Sequence, residues 1–125
     1  MFEKLNWLVL CADDLEESKN FYKNLLGLEQ VSDKPSWKAF KLGESLLALR
    51  PWTPGTEDER HVKHGIYIGF HVADVDDAVV ILEQKGAHIL VDPRDEEFGR
   101  YAEIADPNGY IIMLMTERKQ KARFR

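Results

Sequence analysis

The sequence is poor in features that define several classes of protein. Its one cysteine, Cys11, cannot form a disulfide within the chain, which is typical of proteins from a reducing cytoplasm. No apolar run approaches the roughly 20 residues that a helix needs to cross a membrane. The first residues carry no cleavage-site pattern, so we expect no signal peptide. The formal net charge of −5 argues against nucleic acid as the main partner.

Signature motifs of common enzyme classes are also missing. The chain contains no GxSxG, no Walker loop, no GxGxxG and no CxxC pair. What it does have is an ordinary globular composition over 125 residues, 44% hydrophobic and 31% charged, which argues against disorder. A chain of this size forms one compact domain, or two small repeated halves that share a core.

The first half of the chain predicts the order β-α-β-β-β. The strands are expected at 5–11, 28–32, 36–42 and 45–50. After the first strand, DDLEESKNFYKNLLG predicts a helix that is capped by Asp13 or Asp14 and stopped by Gly27. Gly43 and Glu44 are expected to form a tight turn between the last two strands.

The second half repeats this order. The strands are expected at 65–72, 87–91, 100–105 and 110–116. A helix over 74–86 is predicted to begin at Asp74 and to stop at Gly86. The sequence DPNG at 106–109 predicts a hairpin turn, because proline presets φ and Asn-Gly tolerates a positive φ.

The two halves can be superposed by a shift of 60 residues. The shift lays Trp7 on Tyr67 and Cys11 on His71. Two copies of a small unit with one open face are expected to pair and bury that face. The alternative is chance similarity between two amphipathic helices.

Residues 51–63 separate the halves with two prolines, a glycine and a run of charges, and predict a linker or a flap. The organisation is therefore a first module with linker at 1–63, a second module at 64–116 and a basic tail at 117–125, in one compact domain. We expect the tail to be frayed and solvated. His61 and His64 have the spacing of metal ligands, but in a charged linker they indicate no metal site.

Three segments resemble the glyoxalase / bleomycin-resistance / extradiol-dioxygenase superfamily, also called vicinal oxygen chelate. They are DDLEESKNFYKNLLGL at 13–28, FHVADVDDAVVILEQKGA at 70–87 and FGRYAEIADPNGYIIML at 98–114. The resemblance implies an α+β fold in which two βαβββ modules pair and their sheets curl into an open cup that holds the ligand. It also implies a homodimer, because members of that superfamily are commonly dimers, and some form each cup from modules of different chains.

Enzymes of that superfamily hold a divalent metal in the cup, with His near the start of the first and fifth strands and Glu on the fourth and last strands. The resemblance carries these four positions over to Trp7, Ala48, Tyr67 and Met113. None of these side chains offers imidazole, carboxylate or thiolate to a cation. We therefore predict no metal and no other cofactor.

The same resemblance predicts a ligand-binding set that is aromatic and sulfur-containing, with a few polar groups. Its members are Trp7, Val9, Trp37, Ala48, Arg50, Tyr67, His71, Tyr101, Glu103 and Met113. Apolar walls with sparse orienting groups are typical of small-molecule pockets, and Trp and Met suit flat or cationic ligands.

Each member also has a structural interpretation. Trp7, Tyr67 and Met113 can fill the cup as core, and His71 can be an ordinary strand residue. Glu103 can form a salt bridge with Arg50 or Arg100, and we interpret Cys11 as an inert buried thiol.

Two classes of function follow. The first is a metal-free cytoplasmic protein that sequesters an aromatic or cationic small molecule, as bleomycin-resistance members of the resembled superfamily do, with no membrane or nucleic-acid partner. The alternative is a lyase, isomerase or dioxygenase with an atypical metal site or with acid–base chemistry from His71 and Glu103. A shared fold does not by itself make the chain an enzyme.

Overall fold

The structure is a computed structural model that describes residues 1, 3, 5–51 and 66–117. The chain divides into two compact units, Met1–Val62 and Lys63–Arg125. Each unit contains one four-stranded mixed sheet and the predicted order β-α-β-β-β. The predicted linker beyond residue 51, its histidines His61 and His64, and the tail from residue 118 lie outside the described residues. Within the described part of the chain, no helix is long and apolar enough to cross a membrane.

The first unit contains β1 (Trp7–Ala12), α1 (Leu15–Asn20), β2 (Gln30–Lys34), β3 (Trp37–Leu42) and β4 (Ser45–Pro51). The strand order in its sheet is β1-β4-β3-β2. Strand β1 runs parallel to β4, and the other neighbours are antiparallel. The strand that comes first in the sequence therefore lies beside the last strand of its unit.

The helix of the first unit begins as predicted and ends differently. Asp14 caps it, and its Oδ1 accepts a hydrogen bond of 3.1 Å from the Glu17 backbone N–H. After Asn20 the helix widens into a π-helical turn, Phe21–Leu25, in which the Leu26 N–H donates to the Phe21 carbonyl over 2.9 Å. The sequence predicted one uniform helix, because apolar spacing does not distinguish an i→i−5 bond from an i→i−4 bond.

The core of the first unit lies between this helix and one face of the sheet. Phe40, Leu47 and Leu49 on the sheet are fully buried, as is Tyr22 on the helix. The rings of Tyr22 and Phe40 lie 6.2 Å apart between centroids. This burial fixes which way β3 and β4 face, and it leaves their alternate side chains on the opposite side.

One charged side chain enters the helix side of this sheet. Lys38 is only 5% exposed, and its Nζ lies 2.6 Å from Asp33 and 3.2 Å from Glu16. A buried ammonium needs such paired carboxylates to offset its desolvation. The hydrogen bonds that Lys38 donates lower the pKa of both acids, and the bond that Asp33 accepts raises the pKa of Lys38.

The second unit contains β5 (Tyr67–His71), α2 (Val75–Gln84), β6 (His88–Glu96), β7 (Gly99–Ala105) and β8 (Ile111–Glu117). The strand order in its sheet is β5-β8-β7-β6, and β5 runs parallel to β8. The two units therefore share one topology, as the superposition of the two halves predicted.

Strand β6 is the one strand whose predicted end is wrong by more than two residues. The sequence predicted 87–91, but the strand runs on through Pro93 to Glu96. Proline is tolerated because β6 is an edge strand, and the ladder with β7 shifts register between Val91 and Arg94. The sequence rule that proline ends a central strand does not apply at an edge.

Helix α2 is held by its cap and by one bidentate salt bridge. Asp74 Oδ1 accepts a hydrogen bond of 3.0 Å from the Asp77 N–H, as the sequence predicted for this cap. Arg100 on β7 donates through Nε and Nη2 to the two carboxylate oxygens of Asp76, over 3.0 and 2.9 Å. These bonds lower the pKa of Asp76 and connect the first turn of the helix to the sheet.

The predicted DPNG turn joins β7 to β8. Asp106 is buried, and its Oδ1 accepts 2.8 Å hydrogen bonds from the backbone N–H groups of Asn108 and Tyr110. Gly109 has the positive φ, +92°, that the turn requires. This turn sets the register in which Glu103 lies opposite Met113.

Candidate functional site

The first unit leaves one face of its sheet without a helix, and we call it the first helix-free face. Along β1, Leu10 and Ala12 are buried, whereas Trp7 and Val9 are 44% and 43% exposed. Parallel pairing of β1 with β4 sets Val9 beside Ala48. The side chains on this face include Trp7, Val9, Cys11, Trp37, Ala39, Lys41, Leu46, Ala48 and Arg50.

Two tryptophans meet on this face. The rings of Trp7 and Trp37 lie 5.8 Å apart between centroids, at 62° to each other. Trp7 lies on β1 and Trp37 on β3, with β4 between them. The side chains on the row between the rings are small, because Ala39 pairs with Ala48 and both are buried. The result is an exposed aromatic corner above an alanine floor.

The second unit has the equivalent second helix-free face. Its side chains come from β5, β8, β7 and the edge strand β6. The members are Tyr67, Gly69, His71, Ile111, Met113, Met115, Tyr101, Glu103 and Arg94. Tyr67 is 51% exposed and His71 is exposed, whereas Tyr101 and Glu103 are buried. This face therefore combines exposed rings on one edge with a buried polar pair.

The buried polar pair is Tyr101 with Glu103. The Tyr101 hydroxyl donates a 2.6 Å hydrogen bond to Glu103 Oε2. The bond to the carboxylate, together with burial, raises the pKa of Tyr101. The guanidinium of Arg94 lies 5.2 Å from the Tyr101 ring centroid, and Phe98 meets the same ring edge-on at 5.6 Å.

Some of these contacts differ from the sequence interpretation. The alternative in which Arg100 pairs with Glu103 is wrong, because Arg100 binds Asp76 and Asp95. The sequence interpretation does not include Arg94 or Phe98, because the predicted strand ends at Val91, before both residues. The sequence HILVDPRDE has no polar–apolar alternation that would mark the continuation of the strand through Pro93.

The proposed acid–base pair of the alternative function is not adjacent in the sheet. His71 pairs with Met115, and Glu103 pairs with Met113 on the other side of β8. With strands about 4.8 Å apart, the two backbones are separated by roughly 10 Å. The hydrogen bond of the Glu103 carboxylate goes to Tyr101.

The residues present do not fit the divalent metal of the resembled enzymes. Trp7 and Ala48 lie on the first helix-free face, and Tyr67 and Met113 lie on the second. An indole, a methyl, a phenol and a thioether are not the donors that a hard or borderline divalent cation takes. Among the described residues no group of three or more His, Cys, Asp or Glu is placed to hold a metal. We derive no chemical step through a metal here.

The fold and these two faces define the class of protein. The chain is a duplicated βαβββ unit, and each of its two sheets has one face that no helix covers. A family model described as the Glyoxalase/Bleomycin resistance protein/Dioxygenase superfamily matches residues 4–114. The chain belongs to this superfamily, and the resemblance stated from the sequence is confirmed.

Named relatives of the chain fall into binding proteins and enzymes. A phenazine antibiotic resistance protein, EhpR of Enterobacter agglomerans, is 29% identical over 116 residues, which cover 87% of this chain and 88% of the relative. The crystal structure of TnmS3, an antibiotic binding protein from Streptomyces sp. CB03234, matches with a TM-score of 0.78 at 22% identity over 94% of this chain and 98% of that one. A lactoylglutathione lyase from Agrobacterium tumefaciens matches with a TM-score of 0.71 at 23% identity, over 90% and 92%. At these identities the structural matches establish the fold.

Proposed function

We propose that the protein binds a planar aromatic small molecule without a metal and sequesters it. The observation that carries the proposal is the pair Trp7 and Trp37 on the first helix-free face, 5.8 Å apart with Trp7 44% exposed. Exposed indole surface on a rigid sheet is available for stacking, and each aromatic contact contributes roughly 0.5–1.5 kcal/mol beyond area burial.

A flat ligand is expected to stack on the outer side of the tryptophan pair. Ala39 and Ala48 are buried and the two rings contact each other, so the surface open to a ligand is the exposed part of Trp7. Val9, which is 43% exposed, extends the apolar surface along β1. Covering such surface contributes about 25 cal/mol for each Å² removed from water.

Taken by itself, the second helix-free face favours cationic or hydrogen-bond-donating ligands. The Glu103 carboxylate is held by Tyr101 and can accept further hydrogen bonds from a ligand. Arg94 also lies beside this pair, but its Nε binds Glu96 over 2.6 Å, which offsets part of its charge. The net charge of −5 favours cations over anions.

The names of two similar proteins support a binding function more directly than a catalytic one. One is named for resistance to a phenazine antibiotic and another for antibiotic binding, and phenazines are planar and aromatic. The enzyme alternative rests on the shared fold with a lactoylglutathione lyase, whereas the metal positions of this chain carry Trp7, Ala48, Tyr67 and Met113.

We also propose that the working unit is a cytoplasmic homodimer. Both sheets have edge strands, and helix α2 exposes Val80 and Ile81 by 53% and 51%, which a symmetric partner can cover. Sedimentation at tens of micromolar should give twice the chain mass, and a monomer there would contradict the dimer.

The direct test is a fluorescence titration with phenazine, which is neutral, and with proflavine, a cation of similar shape. A Trp52→Phe background leaves Trp7 and Trp37 as the only emitting indoles. We expect both probes to quench this emission with saturation and proflavine to bind more tightly. Lys23→Ala, at an exposed position on the helix of the first unit, is the control and should bind like the parent. Absence of saturable quenching and of heat in calorimetry would contradict the proposal.

A further inference from the structure

We propose that Gly69 forms a notch in the second helix-free face that seats one end of a fused aromatic ligand and determines its specificity. This inference rests on the ligand binding proposed above and names a residue that the predicted binding set did not include. The observation behind it is that a glycine occupies the middle of strand β5.

The backbone at Gly69 does not require glycine. Gly27 and Gly86 have positive φ values of 76° and 96°, as turns and helix ends demand, but Gly69 is not among the glycines with positive φ. The ladder between β5 and β8 runs without a shift from Tyr67 to His71, so there is no bulge at this residue. Any amino acid can adopt this extended conformation.

Packing at Gly69 does not require glycine either. A Cβ built at this position has no heavy atom within 4 Å, so a side chain would enter open space. The position that repeats it in the first unit is Val9, which shows that the same place on the unit carries a branched side chain. Glycine is a poor strand former, so its presence here lowers the stability of β5.

Glycine in a strand also marks a place where a ligand or another backbone approaches closely, and the open space beside Gly69 suits a ligand. The missing side chain would point out of the sheet on the face that carries Tyr67 and His71, each two residues away along β5. These two side chains start roughly 13 Å apart, at about 3.3 Å per residue. They form the two ends of the notch, and both are exposed.

The row across the sheet indicates the shape of the ligand. Gly69 pairs with Met113, and Met113 pairs with Glu103. A flat fused ring lying along this row has one end in the notch, its face on the Met113 thioether, and its other end at the Glu103 carboxylate. Thioether–aromatic contact is favourable, and the carboxylate suits a ring amine or a protonated ring nitrogen. The ligand class is therefore a fused planar aromatic with a donor group at one end.

The test compares Gly69→Ala and Gly69→Val with the parent in calorimetric titrations with proflavine and phenazine, and in thermal melts. We expect Gly69→Val to weaken both probes at least about tenfold, as extra methyl groups in an apolar site do, and Gly69→Ala to weaken them less. Because the added side chain meets open space, the melting temperature of each variant should equal that of the parent or exceed it by about 2–5 °C. Lys23→Arg, at an exposed position on the helix of the first unit, should change neither quantity.

If Gly69→Val binds both probes as tightly as the parent, Gly69 does not seat the ligand, and the proposed function is unaffected. A fall in melting temperature that accompanies lost binding would also overturn the notch, because glycine would then be needed for folding. A parent protein that binds neither probe would contradict the proposed function itself, and the notch with it.

Discussion

Trp7 and Trp37 are 30 positions apart in the sequence and on strands that are not neighbours, yet their ring centroids lie 5.8 Å apart. The contact arises because β1 pairs with β4 and β4 pairs with β3, which brings the first and third strands of the unit within reach of two large side chains. Trp7 remains 44% exposed in this contact. The pair is therefore a preformed aromatic surface that does not depend on full burial.

This geometry predicts that Trp7→Ala weakens planar ligands more than it weakens the fold. We expect the affinity for proflavine to fall by about tenfold, since one stacking partner is lost. The free energy of unfolding should fall by only about 1 kcal/mol, because much of the side chain is already in water. Calorimetric titration and urea unfolding measure the two effects, with Lys23→Ala at an exposed helix position as the control. If the variant binds proflavine with the same affinity as the parent, Trp7 is not part of the binding site.

The hydrogen bond between Tyr101 and Glu103 predicts a pH dependence. The carboxylate raises the pKa of Tyr101 above the ordinary value of about 10, so the bond contributes its full stability below that pH. The contribution is lost as the pH rises through the folded-state pKa. Phenolate absorbance should therefore show one tyrosine that titrates late.

Glu103→Gln keeps the size of the side chain and removes its charge. We expect the late tyrosine to titrate closer to its ordinary pKa, and proflavine to lose more affinity than phenazine. Tyr101→Phe should remove the late titration altogether. A Glu103→Gln protein that retains both the late titration and the preference for the cation would contradict the role given to this carboxylate.

Local signals explain how much of the fold the sequence could predict. Asp14, Asp74 and the DPNG turn act within four residues of themselves, so the order and approximate ends of the elements were readable. Strand alternation also indicated which residues share a face, as with Trp7 and Val9 on β1. The ligand-binding role of these residues stays a prediction.

Non-local pairing explains what the sequence could not predict. The contact of Trp7 with Trp37 depends on the strand order, and the contact of Arg94 with the Tyr101 ring depends on an edge strand that continues through a proline. The π-helical turn from Phe21 leaves no mark in the apolar spacing. Gly69 gave no signal until its backbone and its empty surroundings were known.

The turn at Asp106 predicts a measurable loss of stability. Asp106→Ala removes the acceptor of two 2.8 Å bonds and leaves the N–H groups of Asn108 and Tyr110 without it. We expect the free energy of unfolding to fall by about 2–3 kcal/mol. Urea unfolding measures it, and Asp106→Asn, which keeps the acceptor oxygen, should lose clearly less. Equal losses in the two variants would contradict this assignment.

The buried Lys38 predicts a loss of stability in acid. Hydrogen bonds from this ammonium lower the pKa of Asp33 and Glu16, so their stabilising effect is complete above the unfolded-state values near 4 and is lost as the pH falls through the folded-state values. In Lys38→Met the acid limb of the stability curve should flatten, as thermal melts between pH 2 and pH 6 would show. A variant curve parallel to that of the parent would contradict this effect.

Metal-free binding of a planar aromatic ligand is tested most directly by calorimetric titration of proflavine into protein that has been treated with EDTA and dialysed free of metal. We predict saturable binding that is unchanged by added Zn²⁺, Mn²⁺, Ni²⁺ or Fe²⁺ and is weakened about tenfold by Trp7→Ala. Binding that appears only when a divalent cation is restored, or no binding to the metal-free protein at all, would contradict the claim that this chain holds a planar aromatic ligand without a metal.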